Sequence, residues 1–263
     1  VSASTGSSMT VTVSGITSNG TMKLNLKAST NIVDAAGNAA SAAYTSGTTH
    51  TVSIPTAPDA PTIGTATAGD GQATVSFTAP VNNGGSAITG YTVTANPGGI
   101  TAGGNGFTTS PITVTGLTNG TAYTFTVTDT NAIGTSTASG ASGSARPMGK
   151  QTINFTNPFS QNFGTTPTLN ATATSTLPVT FSSSTPGVCT ITSGGALTFI
   201  TAGTCTIDAD QAGNAVWNAA PTVSRTFTVN AVRPSTPTIG TATAGDTQAQ
   251  ITFTAPASNG GAT

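Results

Sequence analysis

The stretch Tyr123-Thr-Phe-Thr-Val-Thr128 alternates large apolar residues with threonine at every step. Successive side chains of a β-strand point to opposite faces, so this pattern predicts one buried face and one face in water. Turns rich in glycine, asparagine and proline separate it from further strand-like runs. These runs include Ala73–Thr78, Ile88–Thr94 and Ile112–Thr115. The pattern therefore predicts an all-β chain.

The composition favours strands and excludes several classes of protein. Of 263 residues, 59 are threonine and 32 are glycine, whereas only six are lysine or arginine and all seven acids are aspartate. Helices in water draw on charged helix formers that this chain almost lacks. A net charge of −1 with scattered basic residues excludes a nucleic-acid partner, which needs a basic stripe. No apolar run approaches the roughly 18 residues of a membrane span.

An internal repeat organises the chain. The run Pro61–Asp70 recurs letter for letter as Pro237–Asp246, and 19 of 25 aligned positions are identical from Pro61 onward. A second pair of similar runs, Asp34–Ala39 and Asp210–Ala215, is separated by the same offset along the chain. One offset that aligns two separate regions predicts two kinds of domain in alternation.

Short segments that contain proline mark the predicted domain boundaries. We expect a partial domain over residues 1–53, a complete domain over 54–147, a complete domain of the other kind over 148–231, and a partial copy of the first kind over 232–263. Short, stiff joints between sandwiches predict tandem β-sandwiches in an elongated array.

The two cysteines, Cys189 and Cys205, lie near each other in the sequence, each inside an alternating apolar run. Two strand cysteines in a small sandwich predict a disulfide and an oxidising compartment. Closing a loop of this length contributes about 3 kcal/mol in the chain-entropy model. The alternative is a pair of buried free thiols, because a metal site would need further ligands such as a nearby histidine.

Residues 54–147 resemble a bacterial fibronectin type III module. The residues that carry the resemblance are Pro58-Asp-Ala-Pro61, Ser76-Phe77-Thr-Ala-Pro80, Ser86-Ala-Ile-Thr-Gly-Tyr91 and Gly116-Leu-Thr-Asn-Gly-Thr-Ala-Tyr123. The resemblance implies structural roles for Phe77, Tyr91 and Tyr123, with the Tyr123 hydroxyl capping the backbone at a strand crossover. Phe77 stands where the family often carries tryptophan.

Residues 148–231 resemble bacterial immunoglobulin-like repeats of large surface proteins. The matching residues are Phe163-Gly164, Leu177–Ser184, Val188-Cys189, Ala202-Gly-Thr-Cys205 and Gln211-Ala-Gly-Asn214. Such repeats carry one cysteine before the central turn and one after it, which agrees with Cys189 and Cys205. We expect Trp217 to be a packing residue near the end of this domain rather than a ligand-stacking residue.

No catalytic constellation is evident, so we predict that the chain is not an enzyme. A Ser-His-Asp triad would have to use His50, the only histidine, yet His50 lies in an ordinary strand pattern. Asp208 and Asp210 share one face of a strand and are candidates for Ca²⁺, as are the turn residues Asp34 and Asp70. The alternative for each is a solvated or turn-capping carboxylate. No other cofactor is implied.

These features predict a non-enzymatic structural repeat of an extracellular bacterial surface protein, acting as the stalk or spacer of an adhesin. Two alternatives remain: a subunit of a self-assembling extracellular filament or sheath, and a linker module of a secreted polysaccharide-degrading enzyme. The expected partners are neighbouring repeats of the same chain, identical chains in a filament, or a host or surface ligand bound by domains outside this segment. An export signal would also lie outside it.

Overall fold

The computed structural model of the chain describes residues 11–25 and 47–262. Asp34 and the run Asp34–Ala39 lie outside the described residues. Within the described part every regular element is a strand, and no helix there is long and apolar enough to cross a membrane. The strands are β1 (Gly20–Lys23), β2 (Thr49–Val52), β3 (Thr62–Ala68), β4 (Gln72–Thr78), β5 (Ile88–Asn96), β6 (Thr101–Asn105), β7 (Ile112–Thr115), β8 (Thr124–Asn131), β9 (Ile153–Phe155), β10 (Gln161–Asn162), β11 (Ala171–Ala173), β12 (Thr180–Ser183), β13 (Cys189–Ile191), β14 (Leu197–Phe199), β15 (Gly203–Asp210), β16 (Val223–Asn230), β17 (Thr238–Gly245) and β18 (Gln248–Thr254).

The prediction of an all-β chain is confirmed. The described residues group into two compact units. One takes in the described residues up to Ala66 together with Val75–Val114 and Thr124–Gly143. The other holds Thr67–Thr74, Thr115–Tyr123 and the described residues from Ser144 onward. Two turns of the first sandwich thus cluster with the residues that follow it.

The first sandwich has two three-stranded sheets, in the orders β3-β4-β7 and β6-β5-β8. Along β8 buried residues alternate with half-buried ones, as the threonine alternation predicts. In the antiparallel pair of β5 and β8, Val93 lies opposite Val127 and Ala95 lies opposite Phe125. Phe125 is fully buried, and burying a side chain of this size contributes about 2–3 kcal/mol.

The second sandwich packs around the two cysteines. Its largest sheet has the order β10-β16-β15-β12, and the pairs β9 with β11 and β13 with β14 complete it. Two aromatic pairs meet edge to face in the core, with ring centroids 5.4 Å apart for Phe155 and Phe181 and 6.3 Å apart for Phe199 and Phe227. This is a favoured arrangement of aromatic rings.

The internal repeat is visible in identical backbone contacts. The amide of Thr56 donates to the carbonyl of Gly84 at 2.8 Å, and at the equivalent place in the second copy the amide of Val232 donates to the carbonyl of Gly260 at 2.9 Å. Gly84 and Gly260 have φ of +72° and +73°. A Cβ on either would come within 2.1 Å or 1.9 Å of the partner's carbonyl oxygen, so only glycine fits.

The hairpin of β17 and β18 repeats β3 and β4 but exposes its apolar face. Val75 and Phe77 are 0% and 6% exposed, whereas their counterparts Ile251 and Phe253 are 60% and 73% exposed.

Candidate functional site

The segment between the two sandwiches is held by hydrogen bonds on the side of the first sandwich. The amide of Met148 donates to the carbonyl of Gly69 at 3.1 Å, and the amide of Gly120 donates to the carbonyl of Pro147 at 2.8 Å. The Nε of Arg146 donates to the Gly120 carbonyl at 2.7 Å. We call residues 146–150, with the turns and the loop that contact them, the joint.

An aspartate and an asparagine tie the two turns of the joint together. Asn119 Nδ2 donates to Asp70 Oδ1 at 2.8 Å, and Asn119 Oδ1 accepts from the Gly71 amide at 2.8 Å. The other Asp70 oxygen accepts from the amide of Lys150 at 3.2 Å. The hydrogen bond from Asn119, followed by that from the Lys150 backbone, holds the pKa of Asp70 below its ordinary value. The turn residue predicted as a Ca²⁺ candidate therefore has protein donors on both carboxylate oxygens.

The other side of the joint is a loop of the second sandwich. Gly149 donates its amide to the carbonyl of Val216 at 2.8 Å and accepts from the amide of Asn218 at 2.9 Å. A Cβ on Gly149 would lie 2.6 Å from the ring of Trp217, so the indole packs directly on this glycine. Trp217 is half-buried. The residue predicted to have a packing role therefore packs against Gly149.

Behind the joint lies a buried network of side-chain amides. Gln151 is 4% exposed and Gln211 is 8% exposed. Gln151 Nε2 donates to Gln211 Oε1 at 2.5 Å and to the carbonyl of Asn218 at 2.6 Å. Gln151 Oε1 accepts from the hydroxyl of Ser175. Buried polar groups that are satisfied in this way specify one arrangement of the chain.

The residues that follow the second sandwich also make close contacts with it. The amide of Ala202 donates to the carbonyl of Gly261 at 2.9 Å. A Cβ on Gly261 would lie 2.7 Å from the ring of Phe163. Backbone and ring approach closely here, as they do at Gly149 and Trp217.

The predicted disulfide is present. Cys189 and Cys205 are joined with an S–S distance of 1.98 Å and a Cα–Cα distance of 5.8 Å, and both are fully buried. They lie on β13 and β15 inside the core of the second sandwich. The described residues hold no free cysteine.

The remaining predicted site residues lie apart from the joint. Asp208 accepts from the hydroxyls of Ser184 and Ser224, which lower its pKa in that order, and Asp210 accepts from Thr222 at 2.5 Å. In the described part of the chain, no three histidine, cysteine or acidic residues form a group that could hold a metal ion.

The structure also places the aromatic residues and the histidine. The Tyr123 hydroxyl accepts from the amide of Thr118 at 3.1 Å, and the rings of Phe77 and Tyr91 lie 4.7 Å apart. His50 is exposed on β2, opposite Met22.

Sequence reasoning missed most of the joint. Asn119 lies in the run Gly116–Tyr123 that carries the fibronectin type III resemblance, and Gln151 lies near the start of residues 148–231 with no predicted role. The available signal was the pair Gly149 and Trp217, because a glycine beside a domain boundary and a lone tryptophan near the domain end both indicate close packing.

Comparison with known proteins identifies the first sandwich. The model of the fibronectin type III domain matches residues 57–143. No curated protein matches the chain.

Three solved structures illustrate the structural similarity. The twitchin kinase region from C. elegans is 21% identical with a TM-score of 0.30, over 42% of this chain and 21% of that one. Domains A168-A170 from titin are 24% identical with a TM-score of 0.29, over 38% of this chain and 36% of that one. The chicken CNTN1 FN1-FN3 domains are 12% identical with a TM-score of 0.29, over 76% of this chain and 85% of that one.

The chain thus spans about a fifth of the twitchin chain and about a third of the titin chain. Residues 57–143 form a fibronectin type III domain within an all-β chain.

Proposed function

We propose that this chain is a non-enzymatic spacer of an extracellular bacterial surface protein, the stalk of an adhesin. The observation that carries the proposal is the joint, where Asp70, Asn119 and Gly149 hold the segment between two sandwiches by side-chain and backbone contacts. Fibronectin type III domains are a structural or linker type of module, and residues 57–143 match that family.

A spacer has to keep its ends apart, and a held joint serves this purpose better than a flexible linker. Linkers rich in glycine and serine behave as flexible random coils. In the joint, by contrast, the amides of Met148, Gly149 and Lys150 each donate to a named acceptor. Ordering this segment costs conformational entropy, and the contact between Trp217 and Gly149 favours the ordered state.

The disulfide supports an extracellular location. Structural disulfides form and persist in oxidising compartments and are rare in the cytosol. Cys189 and Cys205 are fully buried within one core. The scarcity of charge, six basic and seven acidic residues in 263, leaves trypsin-like proteases few sites, which suits a protein outside the cell.

Localisation in the producing organism tests the extracellular part of the proposal. An antibody raised against this chain should label intact, unpermeabilised cells, and the protein recovered from them should react with a thiol reagent only after reduction. Labelling that requires permeabilisation, together with free thiols, would contradict the proposal.

Force spectroscopy tests the spacer part. When the chain is pulled by its ends, each sandwich should unfold in a separate step at a measurable force. Reduction should lengthen the step of the second sandwich by about 50 Å, because the 16-residue separation closed by the disulfide extends at roughly 3.5 Å per residue. The variant C189S/C205S should show the long step without reductant. Smooth extension without steps would count against a spacer that works under tension.

A further inference from the structure

The outer edge of β8 is covered by a segment that is not a strand. β8 is the last strand of its sheet, with β5 on its other side. Residues 136–143 run along the free edge without regular secondary structure. Serine occupies every third position of this segment, at Ser136, Ser139 and Ser142.

Each of these serines makes the same pair of hydrogen bonds to β8. The serine amide donates to a β8 carbonyl, and the serine Oγ accepts from the amide of the same β8 residue. The pairs are Ser136 with Asp129 (2.8 and 3.1 Å), Ser139 with Val127 (2.9 and 2.9 Å) and Ser142 with Phe125 (2.8 and 3.0 Å). A side-chain oxygen thus takes the place that a backbone carbonyl has in a β-ladder.

The hydroxyl groups of the three serines also act as hydrogen-bond donors. Each donates to the carbonyl of the next residue in the segment, at 2.8 to 2.9 Å. Every serine hydroxyl therefore both accepts and donates. Ser139 and Ser142 are 8% exposed, so their hydrogen bonds are shielded from water.

The segment cannot itself act as a template for another strand. Three of its residues cover two residues of β8, so it advances about 2.2 Å per residue where a strand advances about 3.3 Å. Its amides and carbonyls are therefore out of register with any extended neighbour. The sheet ends at this segment.

The composition explains why such a device is useful. Proteins commonly protect free strand edges with charged side chains, especially lysine. The whole chain has six lysine and arginine residues, and the only charged residue of β8, Asp129, is buried. Weak charge repulsion between copies leaves a bare β8 edge open to pairing with another chain.

We propose that Ser136, Ser139 and Ser142 form an edge lock, which closes the β8 edge against strand pairing with a second copy of this chain. The lock depends on hydroxyl groups in a three-residue register and not on the polarity of the segment.

A single substitution tests the geometry. In S139A the amide of Val127 loses its acceptor, and its hydrogen exchange should accelerate about tenfold, the effect of one hydrogen bond. The amides of Phe125 and Asp129 should keep their rates, which separates a local effect from unfolding of the domain. An unchanged rate at Val127 would overturn the proposal.

A triple substitution tests the consequence. S136A/S139A/S142A should self-associate in sedimentation velocity at concentrations where the unmodified chain and S139A stay monomeric. Adding A138S/A141S restores hydroxyls at exposed positions one step out of register and should not reverse the association. A triple variant that exchanges its three amides rapidly yet stays monomeric would overturn the lock, as would rescue by the out-of-register serines.

Discussion

At the scale of single residues, Asp129 is the most unusual side chain of the fibronectin type III domain. It is fully buried on β8, opposite Tyr91, and neither carboxylate oxygen has a hydrogen-bond partner. Burying a carboxylate without partners lowers stability. The core of this domain therefore holds a carboxylate that lowers its stability.

Replacing Asp129 by asparagine should stabilise the domain. Asn is nearly isosteric and uncharged, so D129N should raise the free energy of unfolding by about 1 kcal/mol, measured by denaturant unfolding at neutral pH. The exposed Asp59 provides the control, because D59N should change stability by less than about 0.5 kcal/mol. A less stable D129N would show that the carboxylate has a favourable partner.

Ionisation of Tyr91 should lower the stability of the domain at alkaline pH. Burial, and secondarily the Asp129 carboxylate, raises the pKa of Tyr91 above its ordinary value of 10.0. Stability linked to this residue is therefore complete below pH 10 and is lost as the pH rises from there through the folded-state pKa. Y91F should flatten this alkaline loss, measured as the free energy of unfolding between neutral pH and pH 11. An alkaline slope that persists unchanged in Y91F would contradict the assignment.

At the scale of elements, the two repeated hairpins differ at one turn position. Gly71, between β3 and β4, has φ of +61°, and its counterpart Thr247, between β17 and β18, has φ of +59°. A Cβ at Gly71 would meet its nearest neighbour, the Leu117 carbonyl oxygen, at 3.6 Å, an ordinary contact. The difference between the two hairpins is therefore backbone strain and not a clash.

Exchanging these residues should have opposite effects on the two hairpins. T247G should stabilise the second hairpin by about 1 kcal/mol, and G71T should destabilise the first by a similar amount. Amide exchange along β18 and β4 measures each change locally. If T247G slows no amide of β18, the strain at Thr247 is released by other means.

At the scale of the whole molecule, the proposed spacer function depends on how neighbouring modules are joined. The repeat supplies a matched pair of aspartates, because Asp70 has Asn119 and Lys150 as partners and Asp246 stands at the same place in the second copy. The second copy therefore provides an internal control for the joint.

D70A should loosen the joint, and D246A should not. Trp217, the only tryptophan, packs on Gly149 at the joint and reports the change as a shift in its emission. The pKa of Asp70 is lowered from 3.8. The contribution of its carboxylate to the stability of the joint is therefore present above that pH and is lost as the pH falls through the folded-state pKa. The unmodified chain should therefore approach the emission of D70A only in strong acid. Equal effects of D70A and D246A would contradict the role of Asp70.

Some elements were not predictable from local pattern. The run Ile112–Thr115 predicts β7 at its observed bounds, because alternation and flanking turns agree there. β6 was missed, because its sequence Thr-Ala-Gly-Gly-Asn has little strand propensity and Gly103 and Gly104 have φ of +96° and +112°. Its pairing with β5 alone makes it a strand.

The sequence was sufficient for the features that depend on neighbours along the chain: the all-β class, the internal repeat, the fibronectin type III resemblance and the pairing of the two cysteines. Alternation, turn residues and self-similarity can be read from the sequence directly. Because the chain has only two cysteines, each has a single possible partner within the chain. The tertiary structure alone decided the contacts between distant residues. Asp70 meets Asn119 and Lys150, and Gln151 meets Gln211, its partner far along the chain. The serines of the edge lock follow a period of three that has meaning only against the period of two of β8, so no pattern within the segment itself could indicate their role.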